Sequence, residues 1–170
     1  MSSHDTVAIG ISLVASVFDL HSRRIPNLLT FGAALAALIV SPFTTGLSGL
    51  GFSAAGWLLA TVLWLPLYAL GGMGAADVKL LAAIGAWLGP ADVLHAALYA
   101  AIAGGILGIM VAYAHGCVRE TWSNVQLLIV HWRVVGFAPH AQLTLATSTS
   151  PRLAYAVPIL IGTTVAIWFR

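Results

Sequence analysis

An all-α, polytopic transmembrane bundle of about six helices is the fold that the sequence predicts. Hydrophobic residues make up 60% of the chain and charged residues only 7%, mean hydropathy is +0.98, and apolar runs recur between turn-forming residues. Ordinary soluble domains carry about 25% charged residues, so a soluble fold of this composition would lack a polar surface. The 170 residues read as one membrane-embedded domain, 1–170, with a polar, cytoplasmic or interfacial segment at 115–150 within it. A net charge of +2 without a basic, aromatic-interleaved cluster argues against a nucleic-acid partner. Cys117 is the single cysteine, so neither an internal disulfide nor a Cys-x-x-Cys metal site can form.

Each element is judged against the roughly 20 apolar residues a spanning helix needs. The first span runs from about Thr6 to Leu20; its charges, Arg23 and Arg24, follow the apolar run, the order for a retained helix with its N-terminus outside rather than a cleaved signal. Pro26 ends it, since residues before proline are pushed out of the helical region. The second span runs from Leu28 to Phe43, with Thr44-Thr45-Gly46 as its exit. The third, from Leu50 to Leu70, carries Trp57, Trp64 and Pro66, and a kink is expected at the proline. The fourth, from Asp77 to Gly89-Pro90, is too short to cross a full bilayer straight. The Gly-rich stretch before it therefore dips below the membrane surface, or the bilayer thins there.

A fifth span runs from Ala91 to Ala114. Small residues recur every fourth position at Ala96, Ala100, Gly104, Gly108 and Ala112, a packing seam that lets a neighbouring backbone approach closely. From His115 to Ser150 the chain turns polar. Val125 to Phe137, with His131, Trp132 and Arg133, reads as an interfacial helix, and AQLTLATSTS (141–150) as a loop. The sixth span runs from Leu153 to Phe169, with Pro158 inside it.

Alternating sides puts Arg23, Arg24, Lys79, Arg119, Arg133 and Arg152 on one face and Arg170 alone on the other; by the positive-inside rule the crowded face is cytoplasmic. Asp19 and Asp77 both fall at that face. A carboxylate at the mouth of a membrane helix is expensive to place and is a functional candidate by default. Two carboxylates within a few ångströms cannot both ionise cheaply, so one serves as acid and the other as base. Such a pair can activate a water for peptide hydrolysis without a covalent intermediate, and neighbouring glycines let an extended substrate backbone lie close.

Simpler readings exist. Asp19 can pair with Arg23 one turn on, and Asp77 can be an N-cap. Lys79 reads as a snorkelling residue of the positive face. His21 is either a neighbour tuning Asp19 or a loop histidine in water. Asp92 and His95, one turn apart on the outer side, are a hydrogen-bonded pair or a metal or proton site. His115, His131 and His140 show no shared metal spacing, so no metal and no cofactor is expected.

Asp19-Leu-His-Ser-Arg-Arg-Ile-Pro-Asn27, followed by Gly72-Met-Gly-Ala-Ala-Asp77-Val-Lys79, resembles the prepilin peptidase family, a branch of the Gly-x-Gly-Asp intramembrane aspartyl proteases. The resemblance implies that Asp19 and Asp77 are the catalytic pair, that Arg24-Ile25-Pro26-Asn27 is the loop signature, and that Gly72, Gly74 and Ala76 shape the substrate's approach. Larger members carry an N-terminal domain with Cys-x-x-Cys pairs tied to zinc and N-methylation. This chain enters its first helix at once with one cysteine, so it resembles the short type serving Flp/Tad pili, and methyltransferase activity is not implied.

Ala76 stands where the family pattern has glycine; it costs about 1 kcal/mol if that backbone needs positive φ and nothing if it is helical. The implied protein is a multi-pass enzyme of the bacterial inner (cytoplasmic) membrane, with its active site facing the cytoplasm. It would remove basic leaders from Flp-type prepilins and work beside pilus assembly machinery. The alternatives are an inactive scaffold of a pilus system and a small proton-coupled transporter, which would show an internal repeat.

Overall fold

A computed structural model describes residues 1–136 and 153–170. Among these residues there are six helices and no strand: α1 (Ser3–Ser22), α2 (Asn27–Ala69), α3 (Ala75–Leu88), α4 (Pro90–Ala114), α5 (Val118–Val135) and α6 (Ala156–Trp168). Three of them, α1, α2 and α4, are long and apolar enough to cross a membrane. The all-α bundle expected from composition is therefore what forms.

Local chemistry starts and stops each helix. Ser2 caps α1 through a reciprocal pair: its Oγ accepts from the Asp5 N–H at 3.2 Å, and its own N–H donates to the Asp5 carboxylate at 2.6 Å. Arg23 ends α1 in the left-handed region (φ 54°), its N–H returning to the Asp19 carbonyl. His21 is exposed in the last turn of α1 rather than in a loop. At 43 residues, α2 would reach about 65 Å if straight, twice the ~30 Å hydrocarbon core. It turns back at Thr45 and Gly46, where φ is 69° and ψ −158° at the glycine, a conformation open to a residue without a Cβ. Its two halves are the second and third predicted spans. The backbone stays helical through Pro66, and the turn falls at Thr45–Gly46, the exit that the sequence marked.

Gly89 (φ 81°) is the whole connection between α3 and α4, with Pro90 at the first helical position, where its missing N–H is not needed. The amphipathic helix predicted from Val125 begins at Val118 and leaves none of its residues buried. The predicted loop at 141–150, with His140 and Arg152, lies outside the described residues.

Helix α3 is the axis of the bundle. Every residue from Leu80 to Leu88 is buried, the pattern of a helix enclosed on all sides, and it packs on α1, α2, α4 and α6. Glycines permit the approach: a Cβ on Gly56 would overlap the Gly85 carbonyl, so α2 and α3 cross at backbone contact. The small-residue stripe of α4 is a packing seam, as expected. Ala96, Ala100, Gly104 and Ala112 are buried, and a Cβ on Gly162 of α6 would sit 2.5 Å from the Ala96 carbonyl oxygen.

These packings give the bundle two polar ends. At one, Arg170 reaches Asp5 at 3.3 Å and also pairs with Asp92, joining the starts of α1 and α4 to the chain beyond α6. Asp92 thus pairs with Arg170, whereas the sequence suggested His95. The other end gathers the C-termini of α1 and α4 and the N-termini of α2, α3 and α6.

Candidate active site

Asp19 lies in the last turn of α1 and is 9% exposed. Its carboxylate accepts the Ala156 N–H, the first amide of α6, at 3.2 Å. A helix N-terminus offers unpaired N–H groups and positive partial charge, so α6 is oriented to receive this carboxylate. One turn earlier, the Ser16 hydroxyl donates to the Ala156 carbonyl at 3.0 Å. Asp19 thereby fastens α1 to a residue 137 positions along the chain.

Asp77 is half-buried at the third position of α3, and the N-cap is Gly74, not Asp77 as the simpler reading had it. The turn before it runs through Gly71 (φ 76°), with the Gly72 N–H on the Leu67 carbonyl at 3.0 Å. Met73 leaves this turn to enter the core, as Ile25 does from the loop after α1, and the two buried side chains pin both loops to the bundle. The Asp77 carboxylate folds back onto the Gly74 N–H, and a Cβ at Gly74 would stand 3.0 Å from its Oδ2. Glycine at 74 leaves that space open. Gly72 is exposed at the mouth of the turn. Ala76 is the second residue of α3 and helical, so its backbone has no need of positive φ and its methyl carries no strain.

The two aspartates stand within electrostatic reach of each other. Asp19 acts electrostatically on Asp77 across the junction of α1 and α3. Lys79 does not point at the pair: its Nζ donates to Asn27 Oδ1 at 3.1 Å and lies 5.1 Å from the centre of the Phe31 ring. It binds α3 to the start of α2, and so joins the two motifs. Tyr155, which the sequence did not single out, stands immediately before Ala156. Its ring meets Trp64 edge-on at 5.5 Å, and the charge of Asp77 reaches its hydroxyl. A tyrosine beyond a long polar segment carries no local signal of such a position. Asp5 was also missed, although Ser2-x-x-Asp5 has the capping-box spacing. Among the described residues no group of three or more His, Cys, Asp or Glu side chains is arranged to hold a metal ion.

The chain is similar in sequence to several known proteins. A protein named prepilin leader peptidase/N-methyltransferase from Burkholderia pseudomallei is 35% identical over 107 residues, 59% of this chain and 35% of its own length. Proteins of the same name from Bacillus subtilis and Xanthomonas campestris are 34% and 35% identical, over 60% and 68% of this chain and 42% of their own length in each case. The chain thus matches well under half of each of these relatives. No solved structure matches it significantly. The model of the type IV leader peptidase family matches residues 6–109, a stretch holding both aspartates, the Arg24–Asn27 loop and the glycine turn, and the chain belongs to that family.

Proposed function

We propose that this protein is a membrane aspartyl endopeptidase that cleaves the leader from Flp-type prepilins. The observation that carries the reading is that Asp19 and Asp77 lie at one end of the bundle, within electrostatic reach of each other, in a chain of this family. In the proposed reaction the pair shares one proton. The ionised carboxylate takes a proton from water, and the resulting hydroxide adds to the scissile carbonyl while the protonated carboxyl hydrogen-bonds its oxygen. Collapse of the tetrahedral adduct breaks the C–N bond, and the amine leaves with a proton from the pair. No covalent enzyme intermediate and no cofactor enter this scheme. The methyltransferase in the relatives' name is outside the proposal.

The active site faces the cytoplasm of the inner membrane in this reading, because Arg23, Arg24 and Lys79 share the aspartates' end and basic residues favour that side. A basic leader would be drawn to the pair's negative charge rather than to the arginines. Gly72 and Gly74 leave the backbone beside Asp77 open to an extended substrate, with Ala76 behind them, and pilus assembly machinery is the natural partner. The test is co-expression in bacterial membranes with an Flp-type prepilin followed by its size. The unaltered protein should trim it, and Asp19→Asn or Asp77→Asn should each leave it full-length while the variant remains folded in the membrane. Trimming at the normal rate by either variant would refute the paired-aspartate mechanism. Failure of the unaltered protein would favour a scaffold.

A further inference from the structure

We infer that Tyr155 is a third catalytic residue, whose hydroxyl donates a hydrogen bond to the carbonyl oxygen of the scissile peptide as that oxygen gains charge. This rests on the peptidase reading and extends it to a residue beyond the stretch that the family model matches. One dipeptide bears on both aspartates: the Ala156 N–H binds the Asp19 carboxylate, and the adjacent Tyr155 side chain lies within electrostatic reach of Asp77.

The ring is held on two sides. Trp64 of α2 meets it edge-on at 76°, and on α4 a Cβ at Gly104 would stand 2.5 Å from the hydroxyl, so only glycine leaves room for it there. Three helices therefore fix a phenol whose O–H has no hydrogen-bond partner among the described residues. A phenol with an ordinary pKa near 10 is protonated at neutral pH. It is thus a donor, held by its packing on Trp64 and Gly104 within electrostatic reach of Asp77, and a preorganised donor near developing negative charge is a strong means of lowering such a barrier. The aspartates have the work of moving protons, and the tyrosine steadies the oxyanion without giving its proton up.

Two measurements test this. In purified protein, Tyr155→Phe keeps the ring between Trp64 and Gly104 and deletes only the hydroxyl. Its kcat on a peptide spanning an Flp-type leader and cleavage site should fall about 10- to 100-fold, with KM within about twofold. Unchanged kcat would overturn the inference while leaving the peptidase reading intact, whereas no cleavage by the unaltered protein would overturn both. The second measurement needs no turnover. With ¹³C at the phenolic carbon of the four tyrosines, the signal lost in Tyr155→Phe should shift in Asp77→Asn and stay in place in Asp92→Asn. A Tyr155 signal indifferent to Asp77 would place the hydroxyl outside the site and also overturn the inference.

Discussion

Single atoms decide the setting of Asp77. Its carboxylate folds back onto the Gly74 N–H, and a side chain at 74 would begin 3.0 Å from Oδ2, tighter than that oxygen tolerates without moving. If Asp77 is a reacting group as proposed, Gly74→Ala should lower prepilin cleavage about tenfold or more, since small misplacements of such a group are costly, while leaving the thermal unfolding temperature nearly unchanged. Ala76 behaves in the opposite way. Because it is helical, restoring the family's glycine with Ala76→Gly should cost stability, by up to about 1 kcal/mol, as read from denaturation in detergent. Lys79 and Asn27 form a third case. A double-mutant cycle on Lys79→Ala and Asn27→Ala should return a coupling of about 0.5–1 kcal/mol, whereas a merely snorkelling lysine would return none.

At the scale of elements, helices succeed or fail by how closely they can approach. Gly56 and Gly85 bring α2 against α3, and Gly162 brings α6 against α4. Gly56→Leu or Gly162→Leu should sharply reduce folded protein in the membrane, whereas Gly105→Leu, with nothing within 4 Å of its added Cβ, should accumulate normally. Expression levels by fluorescence-detected gel filtration distinguish these outcomes. Much of this was legible beforehand. The apolar runs placed the spans, the fourfold spacing of small residues placed the α4 seam, and Thr44-Thr45-Gly46 marked the turn inside α2. The start of α5 was not legible, because Arg119, Glu120, Ser123 and Asn124 make its first turns polar and hydropathy does not separate a polar helix from a loop. That Asp19 and Asp77 fall at one end of the bundle was legible from motif spacing and loop charges. Their partners were not: a main-chain amide at 156 and a phenol at 155 acquire meaning only when α6 returns to the bundle.

On the scale of the whole molecule, each end of the bundle is a polar knot in an apolar body. The knot of Asp5, Asp92 and Arg170 contains no part of the aspartate site. Asp5 is 2% exposed and Arg170 44%. Arg170→Ala would strand the Asp5 carboxylate among apolar helices with only its Ser2 cap. A loss of about 1–3 kcal/mol follows, below that for a fully buried pair because the arginine is half in solvent. Denaturation should show this loss, with Asp5→Asn in the same background restoring part of it.

Helix α6 carries a matched length. Asp5 and Asp19 are fourteen residues apart along α1, and Ala156 and Arg170 are fourteen residues apart across α6 and the two residues that follow it. The two antiparallel helices are thus stapled at both ends, across about 21 Å of rise on α1 and about 18 Å on α6 plus the two residues that carry Arg170 back to Asp5. Equal spacing in residues makes the pair a gauge. One alanine inserted within α6 lengthens one arm by about 1.5 Å and turns its far end by about 100°, so either the Asp19 staple or the Arg170 staple can close, but not both. Conservative substitutions in the middle of α6 would leave the gauge untouched, while a single-residue insertion that preserves every side chain would put it out of register.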